Sequence, residues 1–178
     1  MTILDCLYIS LADQQLYGVA EGRLSCRFPV SSARNGAGER NGSGCTPRGL
    51  HQVRARIGAG LPMGAVLRGR RWTGEIWSAG LHQQFPGRDW ILSRILWLSG
   101  CEVGVNRLGE VDTFRRYIYL HGTPDCEPMG VALSHGCIRM RNADLVLLFE
   151  QVPLHCPVFI EEASHPEWAA AEIDQGFA

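Results

Sequence analysis

The chain has no lysine: all 17 of its basic residues are arginine. Set against 18 acids, they leave a net charge of −1, which argues against a protein built mainly to bind nucleic acid. Nor is there an apolar run approaching the roughly 18 residues that a membrane-spanning helix needs. The opening "MTILDCLYISLADQQL" lacks the basic head of a secretory leader, since the first basic residue is Arg23 and Asp5 interrupts the apolar stretch. Asp5 also argues against a lipid anchor on Cys6. Paired cysteine spacing is missing too. The seven cysteines (Cys6, Cys26, Cys45, Cys101, Cys126, Cys137 and Cys156) are odd in number and form no secreted disulfide framework. The expectation is a cytoplasmic protein, the alternative being a periplasmic one whose leader precedes the residues given. The glycine-rich "GAGERNGSG" lacks the Lys-Ser/Thr of a phosphate-binding loop.

What is present is alternation. With 178 residues, 46% of them hydrophobic, the chain can bury one good core. Residues 4–10, 15–20 and 24–32 read as strands, turning at Ala12-Asp13 and Glu21-Gly22. A Gly/Asn/Ser-rich loop follows, then a fourth strand at 50–57. "GAGLPMGAVLRGRRWTG" breaks repeatedly at glycine and proline and is expected to be irregular. The stretch 89–100 favours strand over helix, and "RRYIYLHG" is a strand ending at His121. "RNADLVLLFEQVP" is a helix, capped by Asn142 and stopped by Pro153. "CPVFIEE" is a last strand, and 163–178 an acidic helical tail packed on the same domain, which itself spans 1–162. The fold class is mainly β: a single domain with one helix after Cys137 and a short C-terminal helix.

The chemistry concentrates in "LSHGCIRM". Cys137 is preceded at two residues by His135 and followed at two by Arg139, and His121 of "YIYLHGT" lies 16 positions upstream. A cysteine becomes a nucleophile when an imidazole or a helix N-terminus stabilises its thiolate. The helix expected at Asn142 supplies one, and His121 or His135 the other. Gly136 lets backbone N–H groups approach a substrate carbonyl as an oxyanion hole requires. Alone, each residue has an ordinary explanation as a packed thiol, a satisfied histidine or a scaffold ion pair. Their joint spacing is far rarer. The rival is zinc held by His121, Cys126, His135 and Cys137, but no C-x2-C or H-x3-H pair is present. Residues 34–71 carry eight arginines against one acid, Glu39, a solvated flank or a surface for anions.

Taken together, "CTPRGLHQV", "YIYLHGT" and "LSHGCIRMRNADLVLLFEQVPLHCPVFI" resemble the L,D-transpeptidase catalytic domain (YkuD-like) family of cysteine acyltransferases acting on peptidoglycan stem peptides. The resemblance covers most of the chain, the opening hairpins included. It implies a β-sandwich-like fold with Cys137 as nucleophile, His121 as its base, and the Gly122 backbone carbonyl orienting the imidazole. His135, Gly136 and backbone N–H groups around Cys137 would shape the cleft and hold the oxyanion. Arg139 would fix the loop or meet a substrate carboxylate, Ser134 and Asn142 match the motif as structural residues with Ser134 alternatively at the substrate, and no metal or cofactor is implied. Residues 58–100 match typical members poorly and read as a lid or specificity loop, with His82 a surface histidine.

The family chemistry implies a thioester left on the cysteine when D-Ala departs from a tetrapeptide; water then gives a tripeptide, an amine a cross-link. A cytoplasmic member meets soluble muropeptides rather than polymeric wall. The expectation is therefore an L,D-carboxypeptidase of muropeptide recycling, with L,D-transpeptidation or D-amino acid exchange as the alternative. A non-catalytic muropeptide binder or a zinc-stabilised module is the alternative of another class. Expected partners are stem peptides or soluble muropeptides, with no nucleic acid, membrane or obligate protein partner.

Overall fold

The computed structural model describes residues 2–164. The acidic helix expected in the tail thus lies, but for its first two residues, outside the described residues. The strands are β1 (Cys6–Ser10), β2 (Gln15–Ala20), β3 (Arg23–Pro29), β4 (Gly49–Ile57), β5 (Ala65–Arg68), β6 (Arg71–Ile76), β7 (Ile91–Gly100), β8 (Tyr119–Thr123), β9 (Ile138–Arg141) and β10 (Pro157–Glu161). All ten join one curled sheet in the order β3-β2-β1-β10-β4-β7-β5-β6, with β8 and then β9 branching from β7. The fold is mostly β, as the alternation predicts.

Strand β7 is the pivot. Its residues 95–100 pair with β4 and residues 91–92 with β5, while β8 runs along it from Leu92 to Trp97. A bulge between Leu92 and Ile95, where Ser93 adopts φ +65, lets one strand serve three neighbours. The main core lies between this sheet and α2 (Asn142–Gln151). Leu145, Leu148 and Phe149 occupy one helical face and are buried against β7, β8 and β9. Complete burial of such a side chain contributes roughly 1.5–3 kcal/mol.

Five local expectations are corrected. The segment expected to be irregular forms the β5–β6 hairpin. Gly69 (φ +55) and Arg70 (φ +65) make its two-residue turn, so the glycine there serves a hairpin of the type that needs positive φ at both central residues. A short helix, α1 (Ala79–Gln84), was not anticipated; it buries no residue fully and so lacks an apolar stripe to read, although the Ser78 hydroxyl caps it by accepting the Leu81 N–H at 3.1 Å. Asn142 does not cap α2: Arg141 holds that position, and the Asn142 amide donates to Thr123 O (2.8 Å) and accepts from Ser93 Oγ (2.6 Å). The strand expected to end at His121 continues to Thr123, because β9 pairs along it in parallel. His82 is not a plain surface histidine either, since its ring stands 6.2 Å from both Trp77 and Trp90. Among the described residues no helix is long and apolar enough to cross a membrane.

Candidate active site

Parallel pairing of β8 with β9 brings the two halves of the motif together. His121 is in register with Arg139 and Leu120 with Ile138, which sets Cys137 beside Tyr119. Residues two apart on a strand share a face, so Tyr119, His121, Cys137 and Arg139 all project from the same side of the sheet. The Tyr119 N–H donates to Cys137 Sγ at 3.4 Å, and the thiol donates to Tyr117 O at 3.3 Å. His121 is buried, with Nδ1 2.9 Å from Gly122 O. A carbonyl only accepts, so Nδ1 carries the proton and Nε2 is left with its lone pair, as a general base requires.

Burial governs the electrostatics. It pushes the Cys137 thiol up to about 12, and the nearby Asp89 adds to this, against the Tyr119 N–H and the charges of Arg139 and Arg116. It also holds His121 below the ordinary histidine range; the Gly122 bond and Asp89 oppose the shift, and Arg139 reinforces it. Both shifts favour the uncharged forms, a thiol and a neutral imidazole. No hydrogen bond joins Sγ to His121, and the thiol must leave Tyr117 O to reach Nε2. The helix N-terminus expected to activate the thiol does not do so. The four residues of β9 separate Cys137 from α2 by about 13 Å, beyond the first-turn reach of a helix dipole.

The loop before Cys137 is held from inside. Ser134 is buried, accepts the Gly136 N–H at 3.2 Å and donates to Cys137 O. Of the two readings of Ser134 this favours the structural one, with the side chain turned into the loop and not toward a substrate; and it corrects the expectation for Gly136, whose N–H is spent and does not face the cleft. Thr46 Oγ1, from "CTPRG", donates to Gly136 O and accepts the Ala33 N–H, both at 2.9 Å. Gly136 itself has φ +137, a conformation closed to most side chains. At position 122, an added Cβ would collide with Asn142 Oδ1 and approach Leu92 O to 2.6 Å.

Several neighbours had no local signal in the chain. Asp89 accepts from Arg139 Nη2 at 2.9 Å and faces His135 Nδ1 at 3.5 Å. Arg116 ties down the loop before β4 by donating to Gly38 O (3.0 Å), Glu39 O (2.7 Å) and Cys45 O (2.6 Å). At the β5–β6 turn, Arg70 donates to Tyr119 OH at 3.2 Å and lies over the rings of Trp97 (4.8 Å) and Tyr117 (5.0 Å). The arginine-rich 34–71 stretch is not one surface: Arg48 pairs with Glu39, Arg56 donates to Phe149 O, and Arg70 packs on aromatics.

Beside the strand pair lies a cavity of about 240 Å3, its wall including Arg34, Arg88, Asp89, Glu127, His135 and Arg139 but neither Cys137 nor His121. A larger hollow of about 760 Å3 lies against β5, β6 and residues 85–89, and shares Gly87, Arg88 and Asp89 with the first. The zinc alternative finds no geometry. Cys126 is exposed while His121 is buried, and among the described residues no group of three or more His, Cys, Asp or Glu side chains is placed to hold a metal ion.

Comparison with known proteins gives the family of the chain. The L,D-transpeptidase catalytic domain (YkuD) profile matches residues 5–160. A stretch of 60 residues is 46% identical to "Probable L,D-transpeptidase YbiS" of Escherichia coli K12, covering 33% of this chain but only 19% of that protein. Among solved structures, an L,D-transpeptidase from Mycobacterium smegmatis superposes with TM-score 0.52 at 13% identity, over 88% of this chain and 58% of that one. The enzyme of Xylanimonas cellulosilytica gives 0.51 at 21%, over 90% and 62%. L,D-transpeptidase 3 of Mycobacterium tuberculosis gives 0.54 at 15%, over 88% and 60%. These structures share the fold, and with the profile spanning nearly the whole of it, the chain belongs to the L,D-transpeptidase catalytic domain family.

Proposed function

We propose that the protein is an L,D-carboxypeptidase that removes the terminal D-Ala from peptidoglycan-derived tetrapeptides in the cytoplasm. The observation that carries the catalytic part is the shared face of Cys137 and His121, with Nδ1 of His121 committed to Gly122 O. Sγ attacks the carbonyl at the L-centre of the third residue while Nε2 takes the thiol proton. The same imidazolium protonates the departing D-Ala amine as the C–N bond breaks, leaving a thioester on Cys137. Water, deprotonated by Nε2, then attacks the thioester; the C–S bond breaks, the thiol regains its proton and the tripeptide leaves. The Cys137 N–H is the candidate oxyanion donor, since that of Gly136 is committed to Ser134 Oγ.

Water as acceptor is supported by the seven free thiols, which suit a reducing compartment where soluble muropeptides, not polymeric wall, are at hand. The printed names of the relatives favour a second reading, transfer to an amine. Mass spectrometry of the protein incubated with disaccharide-tetrapeptide, with and without an added D-amino acid, separates the two. Loss of D-Ala to tripeptide is the expected result. Dominant exchange or dimer formation would replace the hydrolytic reading with a transpeptidase.

A further inference from the structure

Strand β4 slips register against β7 between Val53 and Ala55, and the residue at the slip is Arg54. A bulge of this kind re-aims a side chain. Arg54 is exposed and makes no side-chain hydrogen bond or ion pair among the described residues. Two residues on, Arg56 donates to Phe149 O at 2.6 Å, and its guanidinium lies over the Phe149 ring, 4.5 Å from the centroid. Arg94 of β7 brings another guanidinium to 5.5 Å from the same centroid.

These cations lack an anion. Arg94 is only 6% exposed, and the Nε atoms of both Arg94 and Arg56 are buried without a hydrogen-bond partner. Among the described residues none of the three arginines stands within 4 Å of a carboxylate. Burial penalises the Arg94 charge, and Glu150 is the one acid that offsets it. Buried charge is ordinarily paired, because an uncompensated cation in a low-dielectric interior is costly.

Arg54 and Arg56 line a cavity of about 410 Å3 whose remaining wall is apolar: Ala55, Ala59, Phe149 and Leu154. That volume falls within the roughly 300–1,000 Å3 of small-molecule sites. The cavity stands apart from the catalytic cleft. Phe149 packs in the core with Leu120, Ile138 and Met140, whereas His121, Cys137 and Arg139 alternate with these on their strands and face the other side of the sheet. A ligand for this wall needs negative charge for the arginines and an apolar body for the rest. A carboxylate brings one charge. A phosphate monoester brings about −1.5 to −2 at pH 7 and three acceptor oxygens, the better match for three guanidiniums opposed by one acid.

We propose that this cavity binds a small-molecule phosphate monoester with an apolar or planar body. The phosphate sits on Arg54 and Arg56, with Arg94 adding its charge from beside the Phe149 ring, and the body lies against Leu154 and Ala59. The site is independent of the peptide reaction and of whether water or an amine accepts the acyl group.

The test is isothermal titration of the full chain with phenyl phosphate, inorganic phosphate and phenol. Phenyl phosphate should bind more tightly than inorganic phosphate, and phenol should give no measurable heat. Arg54→Ala should weaken phenyl phosphate roughly tenfold, the loss of one charge-assisted contact. Arg54→Glu should remove binding, with far-ultraviolet circular dichroism unchanged because Arg54 holds nothing in the fold. Leu154→Ala should bring phenyl phosphate closer to inorganic phosphate while leaving the latter as before. No binding of phenyl phosphate, phenol binding as well as its phosphate, or a titration untouched by Arg54→Glu overturns the proposal.

Discussion

The main-chain N–H of Tyr119 stands 3.4 Å from Cys137 Sγ, aimed at the atom that carries negative charge once the thiol proton leaves. That donor is the structure's main local help to a thiolate, and burial outweighs it. In the proposed mechanism the thiol is therefore protonated at rest and His121 takes its proton during attack.

Cys137→Ala and Cys137→Ser should both abolish turnover with the fold retained, because Cys137 packs only at the margin of the cluster around Ile95 and Tyr119. His121→Ala should lower kcat/KM by at least about 10²-fold, the usual contribution of a general base. Wild-type turnover in Cys137→Ala would remove the whole assignment; circular dichroism of each variant checks the fold.

The free protein should be slow to alkylate at its nucleophile. With the thiol pushed up from 9.0 to about 12, iodoacetamide at pH 8 should modify Cys137 on the order of 10²-fold more slowly than an unburied cysteine. Peptide mass spectrometry reads this directly, with exposed Cys126 as internal reference. A Cys137 that labels as fast as Cys126 would mean a resting thiolate.

Asp89→Asn should make Cys137 more reactive and the protein less stable at once. Asp89 raises the thiol, so its removal brings Cys137 back toward the ordinary range and speeds alkylation. It also strips buried Arg139 of its 2.9 Å partner, leaving only the 3.9 Å approach of Glu127. Alkylation rate and thermal midpoint are the two readouts, and they should move in opposite directions.

Stability should fall on both sides of a plateau. His51, buried and hydrogen-bonded to Gly49 O and Thr113, is lowered to about 4 by burial, and His121 is lowered as well. Both stay neutral in the fold and gain protons on unfolding, so stability is lost as pH drops from about 6.5 toward 4. Cys137 and Cys156 are raised to about 12, so their contribution is full below the ordinary thiol value of 9.0 and is lost as pH rises through 12. Thermal scans across pH check both limbs. The acid limb of kcat/KM should likewise lie below the ordinary histidine range.

Two substitutions probe the frame of the site. Gly122→Ala forces a methyl group against Asn142 Oδ1 and Leu92 O and should cost roughly 1–3 kcal/mol, seen as a lowered denaturation midpoint. Arg70→Ala removes the cation between Trp97 and Tyr117 and should cost roughly 0.5–1 kcal/mol. Its clearer signature is faster amide exchange across residues 65–76.

Local pattern alone was enough for much of this molecule. Alternation identified the opening strands, branched and aromatic residues with a closing glycine identified β7, and the apolar face of Leu145, Leu148 and Phe149 identified α2. The "HGT" and "SHGCIR" segments named His121 and Cys137, because residue types and spacings are properties of the chain itself. The β5–β6 hairpin was missed because Gly69 reads as a breaker until its neighbour Arg70 is seen to share the positive φ of a turn. Asn142 reads as a cap in the sequence because its amide's real partners, Ser93 and Thr123, come from two other strands. Tertiary structure alone decided which charges stand at the site. Asp89 lies 48 positions before Cys137, and only β7, pairing with β8 while β8 pairs with β9, brings that acid to Arg139 and His135. Burial decided the protonation of the nucleophile, since removing a thiol from water is a property of everything packed around it and is written in no single segment.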